Sequence, residues 1–510
     1  MSQSLEDLFN SIPLPYKYVK IPKPDDPPVS RDKKLKFFVN QVITDLSKQA
    51  FIHSGFEQTE DQVHWNTSWG RQFVINRYRS CKSWQKINHF AGAFFMGRKD
   101  YFHNRMTELK ERIGDEANFY PESYLLPAER SECEKHYKDH RLWIIKPLAS
   151  SRGRGIYVIN STNTELPEEE AVVQYYIEHP LLITGRKFDI RVYTIVTSAS
   201  PVRIYMHDSG LIRFATHQYD PNADPSDAQT HLTNFALNKD DPNFIRCEDG
   251  GEEKVSDSKW SIPFFIEYLK SNSIDPVAFF AEIERVITKA LLAGMSTIQS
   301  HHARQVQHRH TSYEQYGLDV IFDENFHAYV MEVNISPGMS GTDSKLDHDI
   351  KWRLMHDVIN MARIIDCDAS VNDPCPGIDE VDRQCNLSLT NERNRAVRTK
   401  KISAWDDPAF VDYMIVRDFI EEKSRLGGYH RVFPKRKTVD DYQKCLGDLK
   451  YHDAVFIEWI KMDKNKRKEV LMKNWDKYKE ILEKINKEYN PNELQTQEGS
   501  STVADEDDEM

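Results

Sequence analysis

The sequence predicts a mixed α+β/α/β protein built from several subdomains, and three stretches carry that prediction. KFDIRVYTIVTS, VRIYMHD and LIRFAT read as a run of antiparallel strands within residues 178–365. Gly317 to Pro337, GLDVIFDENFHAYVMEVNISP, reads as a hairpin. Its arms, Leu318–Phe322 and Ala328–Ile335, are strand-like, and Asp323-Glu324-Asn325 between them is turn chemistry. Amphipathic helical patterns lie on either side, from about Ile262 to Ile298 and from Ile350 to Ile365.

In chain order, residues 1–96 form a mixed N-terminal subdomain with Pro-rich punctuation at Pro22, Pro24, Pro27 and Pro28. Residues 97–177 form a central subdomain ending in the strands LWIIKP and AVVQYYI, and 178–365 a third. Residues 366–390 read as a linker, followed by a helical, cationic extension to 490 whose last part, Tyr451 to Asn490, reads as one long Lys/Glu helix. From Pro491 the composition predicts a disordered tail ending in Asp505-Glu506-Asp507-Asp508-Glu509. The histidine-rich HHARQVQHRH, 301–310, lacks neighbouring acids or cysteines and reads as a solvated loop rather than a metal site.

The totals exclude several classes. A chain of 510 residues with 39% hydrophobic and 29% charged content fits a soluble globular protein of two to three domains. No apolar run approaches membrane-spanning length, and MSQSLEDLFNSIPLPYKYVK has no apolar signal core. Seven scattered cysteines without a C-x-x-C pair favour a reducing compartment. A net charge of −12 argues against general nucleic-acid binding. Residues 391–490 run against that charge, with 24 Lys/Arg against 18 Asp/Glu. Docking on an acidic partner and an ordinary solvated helical face both account for this excess.

Four places hold charge where a strand should be apolar. Lys146 ends the strand Trp143 to Pro147 and needs a partner. The loop SSRGRGI that follows, with Arg152 and Gly153, can fold over phosphates, although by itself it equally suits a basic hairpin. In GRKFDIR, Lys187, Asp189 and Arg191 alternate and so share one face, and Arg213 adds a cation inside LIRFAT. In the hairpin, Glu332 and Asn334 share a face with Asp319 roughly diagonal to Glu332. That set offers hard oxygen donors suited to magnesium, although the segment by itself equally suits a core hairpin whose acids reach solvent at an edge. Beyond Gln174, the strand VVQYYI can present backbone to an adenine edge.

These residues resemble the tubulin tyrosine ligase-like family, whose fold is ATP-grasp, and within it the glutamylating branch. The resemblance runs from about Lys86 to Ala362, carried by NHFAGAFFMGRKD, FYPESYLLP, WIIKPLASSRGRGI, QYYI, GRKFDIRVY, LIRFA, HLTNFALNK, YGLDVIFD and EVNISP. It implies that Lys99, Lys146 and Lys187 contact ATP phosphates, with Arg152 and Gly153 in the loop above them. Gln174, Tyr175, Tyr176 and Ile177 would hold the adenine, with Asp189 by the ribose and Thr233 and Asn234 in the family's HLTN segment. Arg191 and Arg213 would lie near the acyl phosphate and incoming amino acid, and Asp319, Glu332 and Asn334 would ligate Mg2+. Lys187, Arg191, Arg213 and Glu332 are thereby the catalytic set.

The implied reaction joins free L-glutamate to glutamate side chains in tubulin C-terminal tails, or in other acidic-tailed proteins, through an acyl phosphate. An Arg at position 152 points to initiation of branches. The implied setting is the cytoplasm and microtubule cytoskeleton, including the cilium or basal body, without a membrane or nucleic-acid partner. A glycylase or tyrosine ligase of the same fold, and an inactive microtubule-binding protein, are the alternatives.

Overall fold

The structure, a computed structural model, describes residues 4–148, 153–247 and 252–490. Arg152 and the tail from Pro491 lie outside the described residues.

Three sheets organise the chain. The first is parallel: β1 (Lys36–Asn40), β2 (Glu57–Thr59), β3 (Thr67–Gly70) and β4 (Lys86–Ile87), in the order β2-β1-β3-β4. The second is antiparallel, with β5 (Ser123–Leu126), β6 (Leu142–Pro147), β7 (Tyr157–Asn160) and β8 (Ala171–Tyr175) in the order β5-β8-β6-β7. The third contains β9 (Leu182–Ile183), β10 (Arg186–Ala199), β11 (Val202–Phe214), β12 (Lys259–Ser261), β13 (Glu314–Phe322), β14 (Ala328–Asn334) and β15 (Tyr429–Phe433). Its order is β12-β11-β10-β13-β14, with β15 on β11 and β9 on β10. VRIYMHD and LIRFA, read as separate segments, are one strand, β11.

The two faces of the third sheet follow from alternation along β10. Phe188, Ile190 and Val192 point into a core shared with Phe279, Ile283, Ile287, Leu291 and Met295 of the helix Pro276–His302. That helix starts where Asp275 accepts the Val277 N–H at 2.9 Å. Lys187, Asp189 and Arg191 therefore take the opposite face, which the second sheet covers. The helical block expected from Ile262 is two helices, Ile262–Ser271 and Pro276–His302, separated at Asn272 to Asp275.

The hairpin is closer than expected. Asp319 pairs directly with Glu332 rather than diagonally, and the partner of Val320 is Val330. Met331 is the extra residue of a β-bulge, which re-aims the strand end.

The C-terminal region differs most from its sequence reading. Residues 366–390 contain the helix Pro376–Leu387, which buries Ile378, Val381 and Cys385. The strand β15 joins the sheet edge next to β11, and the helix Phe410–Lys423 carries charge into the interior. Glu422 takes Arg203 in two hydrogen bonds of 2.8 and 2.9 Å, with these side chains 0% and 1% exposed. Arg363 reaches the same Glu422 at 3.2 Å and Asp418 at 3.1 Å. The long helix expected from Tyr451 breaks into Tyr451–Lys461, Lys464–Met472 and Trp475–Tyr489, with Asp463 capping the middle one through the Lys466 N–H. Of the cations 431–437, Lys435 pairs with Glu284 and Arg431 lies over the Phe419 ring, leaving Arg436 and Lys437 exposed.

The histidine-rich stretch is drawn into the body rather than solvated. The Ala91 N–H donates to His302 Nδ1 at 3.2 Å, and His310 is 6% exposed, 3.3 Å from Asp418. No helix among the described residues is long and apolar enough to cross a membrane.

Candidate active site

The register of the third sheet assembles a row of charge across four strands. Arg213 on β11 stands opposite Asp189 on β10, Arg191 on β10 opposite Asp319 on β13, and Asp319 opposite Glu332 on β14. The side chains interlock. Arg213 donates to Asp189 at 2.7 and 2.5 Å and stands 2.9 Å from Asp319. Arg191 donates to Asp319 at 2.5 and 2.9 Å. Thr233 Oγ1 donates to Asp189 at 2.8 Å, and Asn334 Nδ2 donates to Glu332 at 3.0 Å. Gly317 allows this closeness: a Cβ there would stand 2.9 Å from Pro337 Cβ and 3.2 Å from Arg191 Cδ.

Two carboxylates in contact respond in opposite directions. Although burial opposes it, Arg191 and Arg213 hold Asp319 well below the usual carboxylate range. Burial pushes Glu332 up, and the neighbouring Asp319 adds to the effect. Such a pair gains from a cation between its oxygens. The Asn334 amide turns its N–H to Glu332, which frees its oxygen as a third hard donor. Two carboxylates and an amide suit Mg2+, which keeps several waters and takes further oxygens from phosphates. Among the described residues no group of three or more His, Cys, Asp or Glu side chains is placed to hold a metal.

Lysines approach the row from the second sheet and from β10. Lys146 Nζ donates to Gln174 Oε1 at 2.6 Å and to the bulged Met331 carbonyl at 3.2 Å. Burial brings Lys146 down to about 8, opposed by Glu332 and assisted by Lys99. Lys187 lies 3.8 Å from the Tyr176 ring centre. Burial brings it down to about 7, against the attraction of Asp189 and with the repulsion of Lys146. Lys99 is lowered by burial, with Glu332 opposing.

Three cavities meet at Glu332. One of about 70 Å³ is lined by Ile144, Lys146, Tyr176, Ile177, Lys187, Asp189, Thr233 and Asn234. A second, of about 110 Å³, is lined by Lys99, Lys146, Gly153 and Asn334 among others. Gly153 has φ +77°, and a Cβ there would stand 3.0 Å from Asn234 Cγ. The largest, about 830 Å³, starts from Arg191, Arg213, Glu332 and Asn334 and extends past Arg71, Lys239, Lys259 and Lys351.

The residues named from the sequence thus converge, with two differences. Gln174 and Tyr175 are not among the described residues lining the two smaller cavities; Gln174 steers Lys146, and Tyr175 packs on His140 at 4.0 Å between ring centres. Sequence reasoning missed His231, 2.9 Å from the Tyr176 hydroxyl, and the Met331 carbonyl. It also missed Gln315 in the large cavity, although alternation from Asp319 through Gly317 places it on the site face.

Residues 78–371 match the tubulin-tyrosine ligase family. The chain is 32% identical over 435 residues to tubulin polyglutamylase TTLL5 of Mus musculus, spanning 79% of this chain and 32% of that protein. It is 30% identical over 478 residues to tubulin monoglutamylase TTLL4 of Mus musculus, spanning 88% and 40%. It is 31% identical over 463 residues to tubulin polyglutamylase ttll-4 of Caenorhabditis elegans, spanning 87% and 74%. The chain therefore spans about a third of the length of the first of these relatives. The chain belongs to the tubulin-tyrosine ligase family, whose fold is ATP-grasp-like, in keeping with the mixed helices and sheets seen here.

Proposed function

We propose that the chain is an ATP-dependent carboxylate–amine ligase that adds free L-glutamate, by isopeptide bond, to glutamate side chains in tubulin C-terminal tails. The observation that carries this reading is the interlocked row Arg213, Asp189, Arg191, Asp319 and Glu332 at the junction of three cavities. Lysines line the two small cavities, and the large one carries Arg71, Lys239, Lys259 and Lys351, which suits an acidic peptide. The printed names of the three relatives, two polyglutamylases and a monoglutamylase of tubulin, support the same substrate.

Amide formation from a carboxylate in water is uphill, so the acceptor carboxylate first takes the γ-phosphoryl group of ATP and ADP leaves. The amine of glutamate then attacks the acyl carbon, phosphate leaves with the C–O bond electrons, and the amine loses a proton. Lys146 and Lys187 bind the phosphate oxygens, and the arriving negative charge favours the protonated form of both, most of all Lys187, which burial has brought down to about 7. Asp189, held by Arg213 and Thr233, orients the ribose side. Arg191 and Arg213 face the charge that gathers on the transferring phosphoryl and the acyl oxygen. Glu332, Asp319 and Asn334 would hold Mg2+, which would supply positive charge to the phosphate oxygens. Tyr176 and Ile177 wall the apolar end of the smallest cavity, which fits the purine ring.

Initiation of branches is the finer reading. It rests on Arg152, whose guanidinium is suited to grip an acceptor carboxylate at two points. The setting proposed is the microtubule cytoskeleton, the cilium or basal body included, with other acidic-tailed proteins as further acceptors. Incubation of tubulin with the enzyme, ATP, Mg2+ and labelled glutamate tests the reading. Single or few glutamates on previously unmodified tails are expected. Long chains as the main product contradict initiation, and no incorporation contradicts the ligase.

A further inference from the structure

Outside the charged row, the cations that line the large cavity are of two kinds. Lys259 and Lys351 both turn to Asp347, at 2.7 and 2.9 Å. Arg71 and Lys239 are exposed, and neither makes an ion pair or a ring contact among the described residues.

The open side chain of Arg71 stands on a backbone that is fastened on every side. The Arg71 N–H donates to the Asn40 carbonyl at 3.0 Å, and Asn40 Nδ2 donates back to the Arg71 carbonyl. Just before it, the Gly70 carbonyl accepts from His89 Nε2 at 2.8 Å and from Asn88 Nδ2 at 3.1 Å. Just after it, Gln72 donates to the Phe90 carbonyl at 2.8 Å. The segment 88–90 is anchored in turn on β13, where Glu314 meets His89 Nδ1 at 2.6 Å and accepts the Phe90 N–H at 2.8 Å. His89 and Glu314 are 1% and 0% exposed. A carbonyl can only accept, so His89 Nε2 carries a hydrogen whichever of Glu314 and Nδ1 holds the proton between them.

We infer that His89, oriented by Glu314, is a positioning residue that holds Arg71 in place for a substrate carboxylate. The inference rests on the ligase reading above. A guanidinium meets a carboxylate at two points, and one whose backbone is already fixed loses less freedom on doing so. The couple joins β3, the segment 88–90 and β13 beneath a single open cation. The carboxylate has two sources, the acidic acceptor tail and free glutamate, and its chemistry at Arg71 is the same from either.

The test uses the full chain with His89→Asn and His89→Gln. The asparagine amide reaches the place of Nδ1 and leaves the Gly70 carbonyl, whereas the glutamine amide reaches the place of Nε2 and restores that bond. Affinity for a fluorescent glutamate-rich peptide is measured by polarisation, and for free glutamate by calorimetry, with a non-hydrolysable MgATP analogue present. Both are repeated in an Arg71→Ala background, and the Tm of each protein is recorded. Arg71→Ala weakens at least one of the two ligands about tenfold, the scale of a hydrogen bond between charged groups, and the ligand that weakens identifies the source of the carboxylate. His89→Asn weakens the same ligand about fivefold, the scale of one neutral hydrogen bond, while His89→Gln stays within about twofold of wild type. Without Arg71, His89→Asn has no further effect, because the side chain it acts through has gone.

Equal losses with asparagine and glutamine overturn the inference, since they make the imidazole a packing group. So does a loss with His89→Asn that persists at full size without Arg71, or an Arg71→Ala protein that binds both ligands as before. A lowered Tm with both affinities intact likewise marks a structural histidine. A wild-type protein that binds both ligands but transfers no glutamate with ATP contradicts the ligase reading instead, and the binding comparisons still decide the role of His89.

Discussion

Glu332→Gln separates the chemical role of this side chain from a structural one. Glu332 lines all three cavities and touches Asp319 directly, with Asn334 donating to it at 3.0 Å. The glutamine keeps the shape, still accepts from Asn334 and can donate to Asp319, so the repulsion between two buried carboxylates disappears. The free protein should melt at the same temperature or higher. What is lost is a charged ligand at the point where negative charge gathers, and the rate of glutamate transfer should fall about 100- to 1,000-fold, on the scale of one strong transition-state stabiliser. MgATP binding gives a second magnitude. At a concentration 100 times its Kd, a ligand stabilises by about 2.7 kcal/mol; if the substitution weakens binding 100-fold, the same concentration gives only about 0.4 kcal/mol. Steady-state transfer of labelled glutamate and thermal melts with and without MgATP measure both quantities. A variant that melts lower, keeps its MgATP shift and transfers glutamate normally would make Glu332 a structural acid and refute the reasoning.

Three further outcomes follow from particular contacts. Lys187 is held at about 7 against an ordinary 10.5, so the unfolded chain binds more protons between those values and stability rises with pH across that window; Lys187→Met should flatten the rise in Tm from pH 7 upward, as followed by calorimetry. Glu422→Gln leaves Arg203 and Arg363 without their shared carboxylate in the interior and should cost about 3–5 kcal/mol, read from urea unfolding; a loss below about 1 kcal/mol would show that the pair does not tie the C-terminal helices to the sheet. Reversing the exposed charges with Arg436→Glu and Lys437→Glu should raise KM for tubulin at low salt and converge with wild type as salt screens the contact, while deletion of 491–510 should lower it; kinetics unchanged at every ionic strength would make both segments bystanders.

Much of the site was legible in the sequence because a strand repeats every two residues. Lys187, Asp189 and Arg191 had to share a face, as did Glu332 and Asn334, and buried charge at alternate positions calls for partners. The position of Asp319 directly opposite Glu332 was not legible, because it depends on a bulge at Met331 that nothing in AYVMEVN announces. The same bulge turns the Met331 carbonyl to Lys146, a contact made by backbone and therefore silent in side-chain patterns. Gln174 illustrates a different limit: its strand was recognised, but the choice between meeting a ligand and steering Lys146 is made by tertiary distance.

The C-terminal region was legible only in part from composition. Its excess of Lys and Arg does form a solvated helical face, with Lys464, Lys466, Lys477, Lys479 and Lys484 exposed, yet Arg393 pairs with the buried Asp412, and Glu422 and Asp418 receive Arg203, Arg309 and Arg363 from positions up to 219 residues away. Pairing over such separations leaves no local periodicity to read. The breaks in the long helix were partly visible, since Asp463 is a good N-cap residue standing just before Lys464.

The central claim is that the charged row activates a glutamate side chain for attack by glutamate. Mass spectrometry of tubulin C-terminal tails after incubation with the enzyme, ATP, Mg2+ and an equimolar mixture of glutamate, glycine and tyrosine tests it most directly. The account predicts ATP-dependent glutamyl additions on internal glutamate side chains, absent with Glu332→Gln. Glycyl or tyrosyl additions, or tails left unmodified by an enzyme that binds MgATP, would contradict it.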